Sequence, residues 1–426
     1  MKINHCIILL LLAALLAGTA TAQTKRNFNE RGNDRFAIKI EPFMGGYVMA
    51  SSNLKEINPH GPTGIHLGIE FPSSQQRPWQ QYLNNPTVGL GISYLDLGHK
   101  TMGKGIAMYP YILLNGIRTP HFNLKVKLGS GLAALNQHYY KTLDEPVPNE
   151  TFSTTINAYL TGGLNLEFPI TRNFAINGEF GFFHMSNGRT KEPNKGSNVL
   201  YGGVGLVATI NPVEEEREPI TFPDLPYNWS LNVTASSGIH AADRTDPHRF
   251  LILTLHVGAI YSTCNWHGIG LGADLFYNDA IGNPETNRGM YVTTTDKWRR
   301  MRGGLSINNE FKFGDFTAIV DWGVYLFNPV RNLYDSDHPI YGRGPRPLFY
   351  KSGEVGVDEA FHYIRFGVKY RVFDNLYLQA IAKTHMHICE LIEFGISYQI
   401  PFLKKSKRHD DRVVFHHRRN WWTKYQ

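Results

Sequence analysis

Val88-Gly89-Leu90-Gly91-Ile92-Ser93-Tyr94 places an apolar side chain at every second position, with glycine or serine between. Successive side chains of a β-strand point to opposite faces. Val88, Leu90, Ile92 and Tyr94 therefore make a face suited to lipid, and Gly89, Gly91 and Ser93 a face suited to a polar interior. The rhythm recurs in Phe122, Leu124, Val126 and Leu128 against Asn123, Lys125 and Lys127. It recurs again in Ile392, Phe394, Ile396, Tyr398 and Ile400 against Glu393, Gly395, Ser397 and Gln399.

Working outward, eight such segments precede residue 211, beginning near Phe36, Gly64, Thr87, Ala107, Phe122, Ile156, Phe174 and Val199. Eight more follow residue 228, beginning near Trp229, Leu251, Gly268, Gly304, Phe316, Tyr363, Leu376 and Leu391. Arg118-Thr119-Pro120-His121, Thr171-Arg172-Asn173, Gly314-Asp315 and Asp374-Asn375 are tight connections, each after an even-numbered strand. The long connections 136–155, 278–303 and 328–362 follow odd-numbered strands. Outer-membrane barrels keep short turns in the periplasm and long loops outside, so the chain is expected to start on the periplasmic side. Residues 72–86 and 212–228 are long for periplasmic connections, and Ile388 to Glu390 is short for an external one.

The fold class expected is all-β, an antiparallel transmembrane β-barrel of about 14–16 strands. The alternative is two tandem eight-stranded barrels joined by 212–228. A soluble β-sandwich or secreted barrel is the blander reading, and the loop pattern weighs against it. The expected organisation is a signal peptide at 1–22, an N-terminal segment at 23–35, barrel halves at 36–211 and 229–402 around the linker, and a basic tail at 403–426.

Lys2, the apolar run Cys6 to Leu16 and the small-x-small Ala20-Thr21-Ala22 read as that signal. No run of 18 apolar residues follows, so no spanning helix is expected. Glycine (41) and aromatics (13%) are abundant instead, as suits spanning strands. The net charge of +7 is partly concentrated in the tail, which reads as a solvated segment or one resting on an anionic membrane surface, not as a nucleic-acid site. Cys264 and Cys389 fall at opposite ends of the barrel, too far apart for a disulfide.

The seventh segment, Phe174 to Gly188, carries the chemistry. Phe174, Ile176, Phe180 and Phe182 share parity with His184 and Ser186, while Ala175, Asn177, Glu179 and Gly181 lie on the other face. Polar groups on a lipid-facing row cost free energy unless they sit at an interface or perform work. A serine hydroxyl is a poor nucleophile until a base takes its proton, and histidine suits that near neutral pH. Asn187 could donate to a developing oxyanion through its backbone or its side-chain amide. The strand is odd-numbered, so the pair would meet the lipopolysaccharide leaflet from the outside wall of the barrel.

His184-Met185-Ser186-Asn187-Gly188, then Pro193-Asn194-Lys195-Gly196, then Asn198 before a glycine-rich strand, resembles the lipid A 3-O-deacylase (PagL-like, acyloxyacyl hydrolase) family. The specific match covers about 174–206, with weaker barrel likeness over 36–211, so 229–402 would be an enlargement. The resemblance implies a His-x-Ser-Asn site with His184 as base, Ser186 as nucleophile and Asn187 in the oxyanion hole. The chain departs at the third triad position, where Asn198 stands in place of the acid. Asparagine can orient an imidazole by hydrogen bonding, but it cannot stabilise the imidazolium by charge. Glu192, on the intervening loop, is the other group that could serve.

Other motifs read more blandly. His385-x-His387 shares parity with Gln379 and Lys383 and faces the lumen, and two His without a third ligand are more often polar lining than a zinc site. Gly202-Gly203-x-Gly205 lies in a strand with no helix after it, so it is not a phosphate loop. His416-His417 and Trp421-Trp422 lie in the tail and could mark an interfacial contact. Asn149-Glu-Thr and Asn232-Val-Thr fit a glycosylation pattern of little meaning in a bacterium.

The function expected is therefore an outer-membrane serine esterase that removes an ester-linked acyl chain from lipid A of lipopolysaccharide. It would need no cofactor or metal, would meet outer-membrane lipid and no nucleic acid, and leaves room for a homo-oligomer. The rival is a non-catalytic barrel, a porin-like channel or structural protein, to which lumen-facing Lys125, Lys127 and Glu179 would be suited.

Overall fold

A computed structural model describes residues 35–73, 78–139, 147–212, 228–241, 248–280, 297–328, 361–385 and 388–403. The expected signal peptide, almost all of the N-terminal segment and of the basic tail, and His387 lie outside them.

The strands are β1 (Phe36–Tyr47), β2 (Thr63–Pro72), β3 (Thr87–Asp96), β4 (Lys104–Arg118), β5 (Asn123–Leu135), β6 (Ile156–Pro169), β7 (Phe174–Ser186) and β8 (Ser197–Ile210). They continue with β9 (Trp229–Ala241), β10 (Arg249–Ser262), β11 (His267–Asn278), β12 (Met301–Phe313), β13 (Phe316–Phe327), β14 (His362–Phe373), β15 (Leu376–His385) and β16 (Ile388–Leu403). Every one begins within three residues of its position in the sequence reading. Two short helices, α1 (Ser52–Ile57) and α2 (Pro78–Tyr82), occupy connections in the first half.

The closure differs from the single large barrel favoured by the sequence. Strand β8 pairs antiparallel with β1, and β16 with β9, so the chain forms two closed eight-stranded barrels. The tandem alternative is the correct one. Each barrel pairs its own first and last strands, which leaves no open edge in lipid.

The interior explains why eight strands suffice. Large side chains on one strand fill the space left by glycines on the next: a Cβ at Gly89 would lie 2.4 Å from Tyr111 Cζ, and one at Gly181 2.4 Å from Tyr201 Cζ. In the second barrel Tyr363 fills the place beside Gly323 in the same way, at 2.2 Å. A barrel of eight strands is just wide enough for side chains to fill.

Most interior charges are paired, and buried Glu70 accepts from the Tyr111 hydroxyl instead. Glu179 receives Lys39 at 2.7 Å and Lys127 at 2.9 Å, and Lys125 reaches Glu167 at 2.7 Å. The charges that would have lined a channel thus neutralise one another inside a packed core. In the second barrel Arg365 binds Asp274 and Glu393, and Glu390 takes both Arg302 and Lys383. A cavity of about 20 Å³ beside His256, Asp321 and Arg365 is room for one water, not a passage.

The outward rows carry the lipid-facing residues that alternation predicts, among them Leu67, Ile69 and Phe71 on β2 and Leu251, Leu253 and Leu255 on β10. Helix α1 buries Leu54 and Ile57 in the core cluster of the first barrel, together with Leu97, Met102 and Phe152, and so stops its loop end. Helix α2 accounts for the long 72–86 connection: Asn115 of β4 donates to the carbonyls of Asn84 and Asn85 just after it. Cys264 and Cys389 are both free, the first in the β10–β11 turn and the second at the opposite end of its barrel, in β16.

Candidate active site

Strand β7 lies between β6 and β8, with His184 opposite Leu160 on one side and Asn198 on the other. Its inward row, Asn177, Glu179, Phe183 and Met185, is buried, whereas Phe174, Ile176 and Phe180 are exposed. His184 and Ser186 continue the outward row by parity, but His184 is half-buried and Ser186 is 6% exposed, because the β7–β8 loop folds back over them. They lie at the end that carries α1 and the long loops. Asn198 belongs to the outward row of β8, with Leu200, Val204 and Leu206.

The register completes a hydrogen-bonded chain. His184 Nδ1–H donates to Asn198 Oδ1 at 2.8 Å, and Ser186 Oγ–H donates to His184 Nε2 at 3.0 Å. With the proton on Nδ1, the Nε2 lone pair faces the serine, which is the tautomer a general base requires. The geometry therefore brings Ser186, His184 and Asn198 together as the nucleophile, base and orienting group of a triad are arranged. Glu192 is spent elsewhere: its carboxylate accepts from Arg189 Nε at 3.0 Å and from the Asn194 backbone N–H at 3.0 Å.

Of the two amides of Asn187, the side-chain one is engaged within the loops. Its side-chain amide donates to Ser153 Oγ and to the Lys191 carbonyl, both at 2.8 Å. Both donors are thereby turned into the loop and away from a developing oxyanion. The Asn187 carboxamide is a strut that ties the β7–β8 loop to the β5–β6 loop. The main chain offers the remaining donors: Asn187 N–H, which donates to Asn194 Oδ1 at 3.1 Å, and Gly188 N–H, which has no acceptor among the described residues. The loop comes back over the pair at Gly196, whose added Cβ would lie 3.1 Å from His184 Cε1 and 3.3 Å from Ser186 Cβ. Gly196 is at φ +65°, a conformation glycine adopts without penalty.

Asn194 could be suspected from sequence, because it lies in the Pro193-Asn194-Lys195-Gly196 string. Ser153 could not, since nothing local links it to a loop more than 30 residues away. His385 points into the second barrel, 3.0 Å from Tyr325 Oη and 3.6 Å from Glu390, while its sequence partner His387 lies outside the described residues. No group of three metal-ligating side chains occurs among the described residues.

Fold and site placement define a transmembrane β-barrel protein of the outer membrane with a Ser–His pair on its lipid-facing wall. Residues 63–206 match the family model of lipid A 3-O-deacylase (PagL), and residues 229–343 match the acyloxyacyl hydrolase C-terminal domain. The deacylase match thus falls on the first barrel and the C-terminal-domain match on the second. Among solved structures, the outer membrane enzyme PagL is similar at 14% identity, covering 40% of this chain and 99% of that one, with a TM-score of 0.26. Neisserial surface protein A is similar at 11% identity, over 41% of this chain and 96% of that one, at 0.24. The Pseudomonas putida toluene transporter TodX is similar at 9% identity, over 88% and 91%, at 0.16. At these scores the structural likenesses carry no argument. The curated proteins yield no match.

Proposed function

We propose that the protein is an outer-membrane serine esterase that removes an ester-linked acyl chain from lipid A, with Ser186 as nucleophile, His184 as general base and Asn198 orienting the imidazole. One observation carries the reading: a Ser–His–Asn hydrogen-bonded chain lies on the outward rows of β7 and β8, beside lipid-facing residues and under the β7–β8 loop, at the loop end. A glycolipid lying in the outer leaflet reaches that wall without leaving the membrane.

In the forward step His184 Nε2 takes the Ser186 proton as Oγ bonds to the ester carbonyl carbon. The tetrahedral oxyanion is met by the main-chain N–H of Gly188 and by that of Asn187, which exchanges Asn194 Oδ1 for it. As it collapses, the carbon–oxygen bond to the sugar breaks and the imidazolium returns the proton to the departing sugar hydroxyl. Water, activated by the same imidazole, then releases the fatty acid and restores the serine. Asn198 holds the ring and its tautomer but brings no negative charge to the imidazolium, which predicts slower chemistry than a carboxylate would give.

Mass spectrometry of lipid A from cells expressing wild type or Ser186→Ala tests the proposal. The wild type is expected to shorten lipid A by one acyl chain and the variant to leave it intact. Identical spectra from both would end the hydrolase reading.

A further inference from the structure

The second barrel touches the site of the first. Ala241, the last residue of β9, donates its backbone N–H to the carbonyl of Arg189 at 2.9 Å. Ala241 shares outward parity with Ser237 and Ile239, and Ile239 is 42% exposed, yet Ala241 is fully buried because the β7–β8 loop covers it. One residue earlier in that loop, Gly188 sits at φ +61°, and a Cβ there would lie 2.4 Å from Ile392 Cδ1 and 2.5 Å from Cγ1. Ile392 belongs to the outward row of β16 with Phe394 and Ile396, but unlike them it is only half-exposed.

Both contacts fall on the turn directly after Ser186, the stretch of main chain whose N–H groups would meet the oxyanion. A free turn of Gly188 and its neighbours would sample many orientations, and misplacement of such donors by about 1 Å costs up to about a hundredfold in rate. We propose that the second barrel is a positioning element of the active site: Ile392 and the Ala241 main chain clamp the Gly188–Arg189 turn and so fix the oxyanion donors that follow Ser186. The inference rests on Ser186 being the nucleophile. It gives the second barrel a role in the chemistry without any reacting group of its own, and Ile392 acts only through the turn it holds.

The test compares full-length wild type, Ile392→Ala, Ile392→Val and Phe394→Ala in lipopolysaccharide-containing vesicles, by fatty-acid release and by hydrogen exchange of the amides of 187–190. Phe394 lies on the same row and is the control for general loss of packing. Ile392→Ala is expected to lower kcat about tenfold or more with KM little changed and to speed exchange of those amides. Ile392→Val should restore most of both, and Phe394→Ala should match wild type. Wild-type kcat and exchange in Ile392→Ala would overturn the proposal, as would an equal effect from Phe394→Ala. If wild type itself releases no fatty acid, the hydrolase reading falls, while the exchange comparison still decides whether the second barrel holds the turn.

Discussion

Strand β7 ends Phe183-His184-Met185-Ser186, and β15, the seventh strand of the second barrel, ends Lys383-Thr384-His385. Both bring a histidine to the loop end, but on opposite faces. His184 follows Phe180 and Phe182 outward and meets Ser186 and Asn198. His385 follows Gln379, Ile381 and Lys383 inward, is 3% exposed, and meets Tyr325 and Glu390. A shift of one residue along a strand moves a side chain from one face to the other. The first barrel itself repeats the lesson, because His66 and Ser93 form a second Ser–His pair, 2.5 Å apart, inside its core. Residue types make the chemistry available, and the face decides whether a substrate can reach it.

The strongest way to break the contrast is at the outward pair. Ser186→Ala is expected to lower acyl release by about a thousandfold or more in a vesicle assay, because triad members act as a unit. A loss of less than tenfold would place the chemistry elsewhere. The inward side of the comparison should respond in stability instead. Glu390 is fully buried against Arg302 and Lys383, so Glu390→Gln removes the carboxylate from a buried ion cluster and is expected to cost roughly 3–5 kcal/mol in urea unfolding. Activity per folded molecule should stay as it was.

Smaller effects sharpen the account of the site. Asn198→Leu removes the acceptor for His184 Nδ1–H and is expected to lower kcat by about tenfold to a hundredfold, since one hydrogen bond in a polar network is worth about 1–3 kcal/mol. Asn198→Asp should raise kcat above wild type by stabilising the imidazolium, and an unchanged or lower kcat in a folded variant would argue against His184 as the base. The least effect is expected from Ser93→Ala in the buried pair, with fatty-acid release within about twofold of wild type, in keeping with substitutions that touch no functional group.

Much of this was legible in the residues because alternation is local. Period 2 can be counted without knowing any partner, so Val88 to Tyr94 and Ile392 to Ile400 declared both strands and faces, and His184 and Ser186 could be put on the outer wall from Phe174 onward. Asn198 could be given a face by the same count, but only the β7–β8 pairing set it across from His184. Which amide of Asn187 is left for an oxyanion could not be read, because the partners of its carboxamide, Ser153 and the Lys191 carbonyl, arrive from loops whose course no alternation describes.

By itself the sequence determined an all-β barrel architecture of about 14–16 strands, its lipid-facing and interior rows, and the shared parity of His184 and Ser186. Only the tertiary structure decided that β8 returns to β1 and β16 to β9, so that the chain closes twice, and that the second barrel comes to rest on the turn after Ser186. The physical reason is the range of the forces involved. A strand's faces follow from backbone geometry between neighbours, whereas closure and docking depend on which distant rows of tyrosine and glycine fit together.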